Sequence, residues 1–209
     1  MAFEPVLGPF HVFKGDPTTA SGAGMTYLGK TRGDITLNPN LGIMTGFADQ
    51  TGRTPLADVV YDAGPKPMVQ VPFVDEEKAK MIKYFENGEI VTNTTKEAIG
   101  FSSGIKKIAI ADIDTLALIP VSQIASGTNG IDAANAIWLP RVIAKTAGDF
   151  TFNLPDGDDI LNPHTVEFEA LYYETDQDDN NVNASLRYGF IGTPNADTGL
   201  TWSLPVVAD

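Results

Sequence analysis

The alternation of apolar and polar positions changes period several times along this 209-residue chain, and it predicts many short strands and one helix. The cleanest strand spans 165–174. Val166, Phe168 and Ala170 share one face there, and Glu167 and Glu169 share the other. In 67–74, Val69, Val71 and Phe73 alternate with Gln70 and Pro72. Proline has no amide to donate, so this strand is expected at a sheet edge or paired on one side at Pro72. Ile35 and Leu37 alternate with Asp34 and Thr36 until Asn38-Pro39-Asn40 ends the run. Further strands are predicted over 136–144, 149–155 and 185–192. The shared parity of Ile108, Ile110, Leu116 and Leu118, broken by Asp112 and Asp114, predicts a bulge or a strand half in one environment and half in another. The helix is expected at about 75–86. Asp75 is its N-cap, Glu76 and Glu77 sit in the first turn, and Asn87-Gly88 is the stop. Met81, Ile82 and Phe85 form the face that would pack on a sheet.

Other stretches lack a period. Residues 1–24 contain Pro5, Pro9 and Pro17 with aromatics at Phe3, Phe10 and Phe13. They are expected to form an extended arm whose phenylalanines pack on a neighbouring subunit. Segments 40–66 and 86–104 are glycine-bearing and polar and are expected to be loops. No internal repeat or composition break divides residues 25–209, which are expected to form a single, mainly β domain.

Composition narrows the chemistry. With no cysteine, disulfides, thiol nucleophiles and iron–sulfur clusters are excluded, which fits synthesis in a reducing cytoplasm. His11 and His164 are the only histidines, so a histidine-rich metal site is excluded. No apolar run approaches the roughly 20 residues of a membrane-spanning helix, and the N-terminus has no basic region ahead of an apolar stretch. The net charge is −13. Residues 1–150 hold 16 acids and 13 bases, whereas 151–209 hold 11 acids and one base, Arg187. Such a chain is ill suited to gripping phosphates. The acid excess either disfavours nucleic-acid binding or simply keeps the protein soluble, and the charge alone does not choose.

Short motifs carry little. Gly24–Thr31 satisfies GxxxxGK[ST], but a phosphate loop needs a buried strand before it and a helix after it. The flanks DPTTASGA and RGDITLNPN supply neither, so no nucleotide enzymology is expected. Arg32-Gly33-Asp34 reads as a turn. Asp156, Asp158 and Asp159, and Asp176, Asp178 and Asp179, lack the glycine and terminal glutamate of a calcium loop and read as solvated turns. Asp112 and Asp114 share a strand face without a recognisable pocket, and neither histidine has triad spacing. Trp138 and Trp202 read as core or interface anchors. Neither a catalytic residue nor a cofactor or metal site is expected.

The run Leu28-Gly29-Lys30-Thr31-Arg32-Gly33-Asp34-Ile35-Thr36-Leu37, the long loop after it, the strand at 67–74, the capped helix, and the late segments FEALYYETD and LRYGFIGTP come in a recognisable order. In that order the chain resembles the major tail tube proteins of long-tailed bacteriophages. The resemblance covers about two-thirds of the chain and rests on order and spacing. It implies a β-sandwich or split barrel with a flanking helix, and hexameric rings that stack into the tail tube of a virion assembled in host cytoplasm. DNA would pass through without specific binding. The implied partners are further copies of the chain, a tape measure protein, and tail terminator or baseplate proteins, with no membrane. Glu167 and Glu169 are the candidate lumen acids, and Phe3, Phe10 and Phe13 the candidate inter-subunit arm. Alternative readings are a capsid decoration or head–tail connector protein or, against the flanks just described, a nucleotide-binding enzyme.

Overall fold

In the computed structural model, which describes residues 9–19, 24–47, 55–73, 88–93, 96–101, 114–123, 135–146, 164–173, 186–194 and 202, nearly all regular structure is β. A five-stranded antiparallel sheet has the order β13 (Phe190–Ile191), β10 (Ile137–Leu139), β9 (Thr115–Pro120), β1 (Phe10–Gly15), β2 (Met25–Lys30). A four-stranded antiparallel sheet has the order β11 (Val142–Thr146), β12 (His164–Ala170), β6 (Met68–Phe73), β3 (Thr36–Asn38). Two ribbons, β4 (Leu41–Phe47) with β5 (Pro55–Pro65) and β7 (Gly88–Asn93) with β8 (Lys96–Phe101), pair only within themselves among the described residues.

The core follows from strand alternation. Val12, Leu28, Leu116, Leu118 and Leu139 of the larger sheet and Val69, Val71, Phe73, Val142, Val166 and Phe168 of the smaller belong to one buried cluster. The opposite face of the larger sheet is covered too. Phe13, Met25, Ala117, Ile119 and Trp138 pack there with Tyr173 and Trp202. β9 is therefore buried at all six positions and carries an almost unbroken apolar run.

The chain crosses between sheets at two corners. After β2, Thr31 bridges to Phe73 and the Arg32 amide donates to the Pro72 carbonyl (3.2 Å). Gly33 sits at φ +106°, a conformation that favours glycine, and turns the chain toward β3. The second corner is Pro140-Arg141, between β10 and β11. There the buried Thr115 hydroxyl donates to the Pro140 carbonyl (2.8 Å), and the Val142 amide donates to the Asp114 carbonyl (3.0 Å). The run 136–144, expected as one strand, is thus two strands in different sheets, because Pro140 cannot continue a ladder.

Other expectations are corrected. From Phe10 onward the N-terminal segment is no free arm: β1 lies between β9 and β2 in the larger sheet, and Phe13 is fully buried. Phe10 packs half-buried against the core, and Phe3 lies outside the described residues. The boundary drawn at residue 24 between arm and domain fails for the same reason, since β1 and β2 are partners. The stretches read as loops at 40–66 and 86–104 contain the two ribbons. The expected helix at 75–86, with Met81, Ile82 and Phe85, lies outside the described residues, as does the strand at 149–155. β6 is an interior strand, but β3 pairs with it only over Met68–Gln70, so Pro72 falls where one ladder has ended. Of the described residues 186–192, only Phe190–Ile191 is strand.

Two predictions follow from these placements. Phe168→Ala should cost about 3–5 kcal/mol in urea denaturation, as an aromatic truncated in a core does, and Glu167→Ala less than about 0.5 kcal/mol. Comparable losses would mean that β12 is turned the other way. Deleting residues 1–20 removes β1, so the truncated chain should lack a cooperative unfolding transition. A normally folded product would restore the arm reading.

Candidate functional surface

The outward face of the four-stranded sheet carries every second residue of β3, β6, β11 and β12. It is mixed, with Met68 of β6 and Ile143 of β11 on either side of Glu169 and polar residues over most of the rest. Thr36 and Asn38 are exposed on β3, and Gln70 on β6. Glu167 and Glu169 are half-buried on β12, on the face opposite Val166, Phe168 and Ala170, as their alternation required. Gln70 Nε2 donates to Glu167 Oε2 at 3.1 Å across the β6–β12 pair. Glu169 Oε2 lies 3.1 Å from Lys145 Nζ of β11. The two candidate lumen acids are therefore held differently. Glu169 is paired with a cation, whereas Glu167 keeps its negative charge against a neutral amide. Among the described residues, two carboxylates against one ammonium give this patch a formal charge of −1, a milder field than two bare carboxylates would give.

The remaining candidates disperse. Gly24–Thr31 is not a phosphate loop: Met25–Lys30 is strand β2, paired along β1 from His11↔Lys30 to Gly15↔Met25. A ladder directs its amides along the sheet and leaves no cradle for an anion. Arg32-Gly33-Asp34 is the first corner between the sheets. Asp114 lies 3.8 Å from the Lys14 ammonium, whose side chain is 2% exposed. This buried cation was not legible in a segment read as an arm; strand parity beside Val12 would have been the signal. Asp112, Asp156, Asp158, Asp159, Asp176, Asp178 and Asp179 lie outside the described residues. Trp138 is a core anchor: its Nε1 donates to the Gly192 carbonyl (3.1 Å), and its ring lies 5.6 Å from that of Trp202. Among the described residues no three acids or histidines gather as a metal site, and no helix is long and apolar enough to cross a membrane.

Among the described residues, His11 is the titratable group that burial alters most clearly. It is 4% exposed, its Nδ1 lies 3.1 Å from the Tyr27 hydroxyl, and Lys30 is its partner across the ladder. Desolvation, and then the Lys30 charge, hold the imidazole below the ordinary histidine value. The folded state thus favours the neutral ring. Its contribution is present above the unfolded value of about 6.5 and is lost as the pH falls below it. The melting temperature should therefore fall between about pH 6.5 and pH 5 in the native chain, and fall less in His11→Gln. Equal slopes would contradict this role for His11.

A scan against protein-family models finds no match, and a search of curated proteins finds none.

Proposed function

We propose that this chain is a structural subunit that self-assembles into stacked, hexameric rings forming the tail tube of a bacteriophage, the conduit for DNA. In this reading the two antiparallel sheets are the layers of a β-sandwich. The outward face of the four-stranded sheet lines the channel, and copies joined side by side continue that sheet into a closed barrel. The observation that carries the proposal is this face: a mostly polar, Glu167-bearing sheet surface backed by a core shared with a second sheet. A weakly negative wall leaves phosphate without a counter-charge to grip, so DNA slides. The two ribbons are suited to bridging one ring to the next. Partners at the tube's interior and ends are a tape measure protein and terminator or baseplate proteins. The chain performs no catalysis in this role.

Negative-stain electron microscopy of the concentrated, purified protein tests the assignment. Hollow tubes of constant width with a regular axial repeat are the expected outcome. Single rings that never stack would indicate a head–tail connector. Small particles that bind only to preformed heads would indicate a decoration protein. Either result would overturn the tube.

A further inference from the structure

An apolar cleft of about 470 Å³ opens where β3, at the edge of the smaller sheet, meets β10 and β13, at the edge of the larger. Leu37, Ile137, Leu139, Phe190 and Ile191 line it together with Tyr188, and among the described residues no charged one does. Gly189 lets the wall come this close. A Cβ there would lie 2.6 Å from Leu139 Cδ2 and 2.8 Å from the Trp138 carbonyl oxygen. Among the described residues the exposed large hydrophobics are Tyr172 and Ile191, at 45% and 48%. Both belong to this one place. Ile191 lines the cleft, and the Tyr172 ring stands edge-on to Tyr188 at 5.5 Å. Concentration of exposed apolar surface at a single concave site marks an interaction surface rather than scattered surface residues.

Among the described residues, two bases stand beside the cleft. Arg187 sits over the Tyr172 ring with its guanidinium carbon 5.3 Å from the centroid, and donates to the Tyr172 hydroxyl. Exposed Lys66 lies between the lining residues Pro65 and Pro67. These are bases in a chain of net charge −13. Tyrosine and arginine around an apolar hollow are the side chains on which association energy concentrates.

We propose that this cleft receives a second copy of the same chain, in a head-to-tail contact. The inference deepens the assembly reading and rests on it. A second copy arrives with an excess of acids, which complements the basic rim. A contact made by two clefts facing each other would instead oppose rim to rim, like charge against like. The cleft therefore meets a different surface of its neighbour, and such heterologous contacts propagate into rings or filaments rather than stopping at a dimer.

The chain has no cysteine, so Ile191→Cys introduces a unique thiol that a benzophenone maleimide can label. After irradiation of the assembled protein, the expected product is a crosslink from position 191 to another copy, outside residues 186–194. Arg187→Glu should raise the concentration at which assembly begins by about tenfold or more without changing the far-ultraviolet circular dichroism. Crosslinks joining two 191 positions would overturn the head-to-tail contact. An unlabelled chain that assembles, while the labelled chain yields no inter-copy crosslink or while Arg187→Glu assembles unchanged, would overturn the cleft's role and leave the assembly reading intact. A native chain that stays monomeric at every concentration, including one that crosslinks only to nucleic acid or another protein, would overturn both.

Discussion

The structure depends on hiding two faces of one sheet. β1 and β9 lie side by side and are buried above and below, largely through apolar side chains, so the five-stranded sheet needs a cover on each side. The four-stranded sheet closes one face through Val69, Val71, Val166 and Phe168, and Tyr173 and Trp202 pack on the other against Trp138 of the sheet itself. Burying such side chains removes apolar area from water at about 25 cal/mol per Å². That driving force holds together strands that are widely separated in sequence. The corners at Gly33 and Pro140 are consequences of it, since the chain must leave one layer to build the next.

The same constraint leaves the outward face of the smaller sheet free to be mostly polar. With Phe168 committed to the core, Glu167 and Glu169 have nowhere else to go, and Gln70 and Lys145 position their carboxylates. The proposed channel wall is thus the other side of the core pattern. The proposed docking cleft has a related origin, because the two sheets end there in edge strands of only two and three residues. Apolar side chains line the opening between those edges, where a neighbour can cover them.

Strands with one wet face were legible in the sequence. β12 and β6 alternate, and the structure puts Val166, Phe168, Val69 and Val71 inside. β1 was not legible, because a strand buried on both faces shows no alternation, and Pro9 and Pro17 around it imitate an arm. Lys14 reinforced that misreading, since a lysine 2% exposed is rare and its partner Asp114 is a hundred residues away. The ribbons were missed because glycines and polar residues interrupt their periodicity. The acids of the candidate surface were found by parity alone, but the Lys145–Glu169 ion pair and the cleft at Ile191 depend on pairings between distant strands.

The most direct test of the central claim is a cryo-electron-microscopy reconstruction of the assembled protein at side-chain resolution. The account predicts a hollow tube whose channel wall is the outward face of the four-stranded sheet, with the Glu167 carboxylate facing the lumen in every subunit. A channel lined by another surface, or a neutral or basic wall with Glu167 on the tube's exterior, would contradict it.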